Sequence, residues 1–354
     1  MERNICLFTG ARPNFMKMAP LIKAMNKTEG CHYELVYAGT DRDATLESSL
    51  FADLQIERPS VFLGVDSDNL NELTGHVMAE FERYLEHRQV DTVVVVDDLA
   101  STMAAAIVAK KRGLRLAHLV AGTRSFNINM PKEINRLVID GLSDLLFTAG
   151  VVSSSIATRE GAEYHKIYMV GNILMDTLRM NQNRWRKPAC VNDDRYIMFT
   201  LNRKALLADE AHLYGMLDAI CHASGGVRLI APLRGKAKEL VERHGGFKVI
   251  APLPYLEFGW LLSHAAGVVT DSGNVAEEAT FHHVPCITLN SYTEHIETVK
   301  VGTNVLVGED VGKLQSAMAD MVGGHWKESS LPDRWDGRTA ERIVKILMED
   351  FPSE

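Results

Sequence analysis

The chain has 354 residues, 46% hydrophobic and 24% charged, with a formal net charge of −8. That length suits two domains of roughly 150–200 residues more than one core, and the composition is that of a globular protein. The negative balance leaves no basic stripe for general nucleic-acid binding, and no apolar run approaches the roughly 20 residues needed to span a bilayer.

In chain order, residues 5–9, 34–38 and 92–96 are compact apolar runs, the pattern of parallel strands buried on both faces. Helical periodicity follows each, at 15–27, 70–86 and 101–111, and further strands are predicted at 115–120, 145–148 and 167–170. This alternation predicts a doubly wound α/β domain, whose ligands gather at the carboxyl ends of the strands. Gly171-Asn172 opens another helical stretch, and the polar segment 181–194 interrupts the pattern. The rhythm then resumes, with strands predicted at 196–201, 227–231, 247–250, 267–270 and 285–289 and a last amphipathic stretch at 339–348. We therefore expect two Rossmann-like domains facing a cleft. The first covers 1–170, with a C-terminal helix at 336–352 packing back on it, and the second covers 171–335.

Cys6, Cys31, Cys190, Cys221 and Cys286 are widely spaced and odd in number. They predict buried thiols in a reducing compartment, with no disulfide frame and no zinc site. The opening MERNICLFTG has no leader pattern, so a cytoplasmic protein is expected. The adjacent pair Asp97-Asp98 lacks the spacing of a metal clamp, and neither a metal nor a cofactor is expected.

Several segments carry chemistry. Gly10-Ala11-Arg12-Pro13 follows the first strand, where a guanidinium can grip phosphate oxygens with two prongs. Met130–Arg136 reads MPKEINR and offers Arg136 as a second phosphate candidate. Asp271-Ser272-Gly273-Asn274 ends a predicted strand and opens a helix; small residues there let backbone amides approach a diphosphate. Ser272 as an ordinary helix N-cap explains the same four residues equally well.

Together with VVVVDDLASTMAAA at 93–106 and VKVGTNVLVG at 299–308, these segments resemble the non-hydrolysing UDP-N-acetylglucosamine 2-epimerase family along nearly the whole chain. The resemblance implies a GT-B-like fold, a nucleotide-diphosphate sugar as ligand (UDP-sugar favoured, GDP-sugar open), and a homodimer. It gives Arg12, Ser272, Gly273 and Asn274 to the diphosphate, Glu278 to the ribose hydroxyls, and Phe258 to packing against the base. It places a catalytic carboxylate at Asp98, with Glu133 retained beside it.

The resemblance also implies departures. The family epimerises C2 by removing its proton and expelling UDP from C1, which needs placed acids and bases. Its HVEAG stretch reads His118-Leu119-Val120-Ala121-Gly122 here, its PEE reads Pro131-Lys132-Glu133, and its TLHR reads Thr200-Leu201-Asn202-Arg203. Val120, Lys132 and Asn202 thus replace two carboxylates and a histidine. The TGQH loop is Ala38-Gly39-Thr40-Asp41, HPR is Pro232-Leu233-Arg234, TERPE is Thr293-Glu294-His295-Ile296-Glu297, and Asp97 stands where the family has glycine. Asp97, Asp41, Lys132 and His295 are candidate substitutes for the lost groups. A kept diphosphate clamp with a lost C2 acid–base set suits glycosyl transfer, with Asp98 as acceptor base. The alternatives are an isomerase with a rebuilt pair from Asp98, Asp97 or Glu133, and a non-catalytic nucleotide-sugar binder.

Overall fold

The computed structural model describes residues 2–192 and 195–349. Asp193 and Asp194 of the polar segment, and residues 350–352 of the expected last helix, lie outside the described residues.

The chain divides into two compact units, residues 1–180 with 333–354, and residues 181–332. The first passage between them falls ten residues beyond the 170/171 limit expected from sequence, because the helix Ile173–Asn181 packs almost wholly with the first unit. Thr177 Oγ1 on that helix bonds the Met16 carbonyl, which ties it to the first helix.

The first unit holds a seven-stranded sheet made of β1 (Arg3–Thr9), β2 (Cys31–Tyr37), β3 (Val61–Phe62), β4 (Thr92–Val96), β5 (Arg115–Ala121), β6 (Leu145–Thr148) and β7 (Ile167–Met169). The order is β3-β2-β1-β4-β5-β6-β7, and every pairing is parallel. β4 is wholly buried, as an inner strand covered by helices on both faces must be. On one face Phe8, Val93 and Val95 pack with Val77 and Phe81 of the helix Leu70–Glu86 and with the alanine-rich helix Ala100–Lys111. Those alanines bring the second helix close to the sheet. The helix Arg12–Met25 packs against Thr339–Met348, so the end of the described chain completes the first unit.

The second unit is a six-stranded parallel sheet: β8 (Tyr196–Phe199), β9 (Arg228–Pro232), β10 (Lys248–Ile250), β11 (Gly267–Thr270), β12 (Cys286–Thr288) and β13 (Asn304–Leu306). Its order is β10-β9-β8-β11-β12-β13. In each unit the order reverses at the first strand, which opens a ligand crevice at the carboxyl ends. That reversal lies between β1 and β4 in the first unit and between β8 and β11 in the second. The sequence reading contains eleven of these strands and omits β3 and β13, both at sheet edges and only two and three residues long. Edge strands are covered less fully, so their apolar signal is short and weak.

Candidate functional site

In the first unit, two turns meet at the strand ends. Gly10 follows β1, and a Cβ built there would come within 2.1 Å of Ser101 Oγ and 3.0 Å of Leu99 Cδ1, so a larger residue would have to displace both side chains. The carboxamide oxygen of Asn14 accepts from the amides of Gly10 and Ala11 at 2.9 and 3.0 Å, which fixes the loop carrying Arg12. Beside it a cavity of about 430 Å³ is lined by Gly10, Tyr37, Gly39, Thr40, Asp43 and Ser101. The Tyr37 hydroxyl donates to Asp43 there at 2.5 Å.

β4 ends in Asp97, at φ +61°, a left-handed conformation that glycine adopts freely and aspartate tolerates. The carboxylate of Asp97 accepts from Lys17 Nζ at 2.5 Å and Asn14 Nδ2 at 2.8 Å. Asp98 accepts at Oδ2 from the Nε (2.8 Å) and terminal nitrogen (2.6 Å) of Arg136, and Lys132 Nζ stands 3.3 Å from Oδ1. Burial alone would push the Asp98 carboxyl up, but Lys132 and Arg136 outweigh it and hold the group below the usual carboxylate range.

Glu133 is buried and fully engaged. It accepts from the Ser125 amide (2.9 Å), the Ser125 hydroxyl (3.0 Å), the Phe126 amide (2.7 Å) and Arg136 (2.9 Å). Burial acts against the charge here too, and the amides and Arg136 prevail, so this carboxyl is also held low. Glu133 thus fastens the loop before the helix Pro131–Leu142, while Lys132 and Arg136 reach Asp98 from the same helix.

Val120 lies where β5 slips register against β6, between Leu119 and Ala121, at φ +74°. A β-branched residue is strained in that region, by about 1–3 kcal/mol. The turn is held from behind by a buried chain of polar groups. His118 Nδ1 lies 2.6 Å from Asp140 Oδ1, and His118 Nε2 lies 3.0 Å from the Asp97 carbonyl. Asp140 Oδ2 meets Arg124 at 2.7 Å and the Gly122 amide at 3.0 Å.

In the second unit, β11 runs into Asp271 and the helix Gly273–Phe281. Asp271 accepts from the amides of Asn202 (2.7 Å) and Arg203 (2.5 Å), which draws that loop to the start of the helix. Burial raises the Asp271 carboxyl, and these two amides oppose the rise. Ser272 occupies the N-cap position, yet its side chain makes no capping bond, so its hydroxyl leaves the first-turn amides to another acceptor. Asn274 lies in that first turn.

Glu278, five residues beyond Gly273, is 7% exposed and has no hydrogen-bond partner among the described residues. Burial, with help from neighbouring Glu277, pushes its carboxyl up to about 8. Phe258 is half-buried against the apolar cluster of Leu261, Val275 and Ala279.

Arg12, Arg136, Asp97, Asp98, Glu133, Lys132 and Val120 thus fall in the first unit; Asp98, Lys132, Arg136 and Glu133 form one network of charges, and Asp97 forms a separate pair with Lys17. Asn202, Phe258, Ser272, Gly273, Asn274 and Glu278 fall in the second. Sequence reasoning passed over Lys17, Asn14 and Glu277. The first two lie just beyond Gly10-Ala11-Arg12-Pro13, on the helix Arg12–Met25, and their signal was only that polar residues interrupt an otherwise apolar helix face.

Two parallel α/β sheets, each with its conspicuous polar residues at the carboxyl ends of the strands, define a protein of the nucleotide-binding doubly wound class. A family model described as UDP-N-acetylglucosamine 2-epimerase matches residues 23–348, and the chain belongs to that family. It is 33% identical to UDP-N-acetylglucosamine 2-epimerase of Methanocaldococcus jannaschii, over 97% of this chain and 98% of that protein. It is 34% identical to UDP-2,3-diacetamido-2,3-dideoxy-D-glucuronate 2-epimerase of Pseudomonas aeruginosa, over 86% of this chain and 88% of that protein. Among solved structures, the M. jannaschii UDP-GlcNAc 2-epimerase in complex with UDP-GlcNAc and UDP is similar with a TM-score of 0.87 at 32% identity. It covers 97% of this chain and 99% of that one.

Proposed function

We propose that this protein binds a UDP-sugar, with the nucleoside diphosphate on the second unit, and that it has given up the family's proton transfer at C2. The diphosphate meets the uncapped start of the helix Gly273–Phe281, where oriented amides favour an anion. Glu278 supplies the ribose contact: a buried carboxyl without a hydrogen-bond partner among the described residues is stabilised once two hydroxyls donate to it. The crystal complex of the M. jannaschii relative with UDP-GlcNAc and UDP supports the choice of ligand.

The loss of C2 chemistry rests on one observation, that Lys132 and Arg136 neutralise Asp98 in place. A general base must be free to take a proton at the working pH. A carboxylate held low by two cations is a weak base, and Val120 offers no acid in its stead. Losing one such group commonly costs about 10²–10⁴ in rate. The same ion pairs weaken the glycosyl-transfer expectation, which needs Asp98 as acceptor base, and the relatives named above are epimerases. The isomerase reading draws its support from those relatives.

The test incubates the protein with UDP-GlcNAc in deuterium oxide, followed by proton NMR, alongside equilibrium dialysis of the same ligand. Binding without deuterium at C2 is the expected result. Deuterium entering at C2 within enzyme-like times would overturn the proposal in favour of the isomerase. UDP release that depends on an added acceptor would overturn it in favour of glycosyl transfer.

A further inference from the structure

We propose that the sugar held by this protein carries a carboxylate, as a hexuronate does, and that Lys132 selects it. The inference rests on the UDP-sugar reading and deepens it by naming the class of sugar.

Lys132 is the second residue of the helix Pro131–Leu142, and its ammonium stands on Asp98, two residues beyond the end of β4. β4 borders the reversal of strand order, so this group lies at the ligand crevice of the first unit. Four charged side chains gather there, and three of them are turned inward: Glu133 is 3% exposed, Arg136 6% and Asp98 14%. Lys132 is 57% exposed. It is the charge of this set that is presented to solvent.

Its hold on Asp98 is also loose. At 3.3 Å the contact exceeds the roughly 2.7–2.9 Å of a charge-assisted hydrogen bond. Asp98 is secured without it. Arg136 reaches Oδ2 from Nε at 2.8 Å and from a terminal nitrogen at 2.6 Å, and Asn135 Nδ2 donates to the Asp98 carbonyl at 2.8 Å. Glu133 takes the other terminal nitrogen of Arg136 at 2.9 Å and the amides of Ser125 and Phe126. Both carboxylates are thus served by other donors, and Lys132 can exchange Asp98 for an oxygen of the ligand. A lysine suits that exchange, since its flexible four-carbon stem carries a compact charge with three rotatable donors.

The electrostatic preference of the crevice has changed along with this residue. The resemblance implies carboxylates at both 120 and 132, and each would repel an anionic substituent on the sugar. Val120 is uncharged and Lys132 is cationic, so both repulsions are gone and an attraction stands in their place. One ammonium matches one singly charged group, and a ligand carboxylate replaces Asp98 Oδ1 like for like. A doubly charged phosphate would need a second cation, and Arg136 is already engaged by Asp98 and Glu133.

The experiment is calorimetric titration of the full chain with UDP, UDP-glucose and UDP-glucuronate. The two sugar nucleotides differ only at C6, a hydroxymethyl group in one and a carboxylate in the other. Wild type should bind UDP-glucuronate about tenfold more tightly than UDP-glucose. Lys132→Met should bind the two alike, Lys132→Arg should keep the preference, and Lys132→Glu should reverse it, all with UDP bound as in wild type. A wild type that binds UDP but shows no preference for the uronate overturns this inference alone. So does a Lys132→Met protein that weakens both sugar nucleotides equally and keeps their ratio, which is what a purely structural lysine would give. A wild type that binds none of the three overturns the UDP-sugar reading and this inference with it.

Discussion

Asp97 and Lys132, where the resemblance implies a glycine and a carboxylate, bring charges of opposite sign. Asp97 brings a carboxylate to Lys17, and Lys132 brings an ammonium to Asp98. Lys17 pairs with Asp97, while Lys132 and Arg136 pair with Asp98 and Arg136 also with Glu133, so each of these carboxylates faces a cation. Breaking one partner of such a half-buried set leaves an uncompensated charge and costs more than the pair contributes. Glu278 is the opposite case, a buried carboxyl with no ion pair among the described residues. Its folded-state value of about 8 lies above the ordinary 4.5. The fold therefore favours the protonated form, and its contribution, complete below about pH 4.5, is lost as pH rises through about 8. Glu278→Gln removes that titration. Between pH 5.5 and pH 9 the variant should gain on the order of 3 kcal/mol relative to wild type, read from denaturant melts at both pH values. Parallel losses in the two proteins would mean that Glu278 is solvated in the free protein.

At the scale of elements, the helix Thr339–Met348 belongs to the first unit because a remote carboxylate caps it. Asp176, on the helix Ile173–Asn181, accepts from the amides of Thr339 at 3.1 Å and Ala340 at 2.8 Å. Thr339, Ala340, Ile343, Val344 and Leu347 are buried, so both the cap and the apolar face hold this helix in place. Asp176→Ala orphans two buried amides, a loss of about 1–2 kcal/mol. Amide hydrogen exchange across 339–348 should accelerate roughly tenfold, while exchange in residues 195–332 stays as in wild type. Unchanged protection of this helix would show that the apolar face alone holds it.

For the whole molecule, the contrast is between a kept backbone and a changed set of charges. Val120 sits in a positive-φ bulge at the end of β5, the conformation that aims its side chain away from the regular strand alternation. The strain is present although a valine side chain can neither donate nor accept a proton. If the backbone has kept the geometry for proton transfer, returning the side chains should return the reaction. The triple variant Asp97→Gly, Val120→Glu, Lys132→Glu frees Lys17 and restores two acids within the first unit. It should raise the rate of deuterium entry at C2 of UDP-GlcNAc by at least about 10² over wild type. A soluble, UDP-binding variant with no increase would mean that the backbone has diverged along with the side chains.

Much of this architecture was legible from the amino acids in order. The run TVVVV, the alternation of apolar strands with helical periodicity, and the small residues at 10 and 273 each report a local condition: burial on both faces, or close approach of backbone. Such conditions are met by neighbouring residues, and family membership follows from the same ordered segments. The pairing of the charges was not legible, because it joins residues far apart in sequence. Lys17 and Asp97 are 80 residues apart, and Asp98 and Arg136 are 38 apart. Only the folded sheet, by setting β1 beside β4 and the helix Pro131–Leu142 beside both turns, pairs Asp98 with its cations, and only the fold of the second unit leaves Glu278 without a hydrogen-bond partner among the described residues. Residue type determined which groups this protein carries; tertiary contact, through distance and desolvation, decided which of them remain available for chemistry.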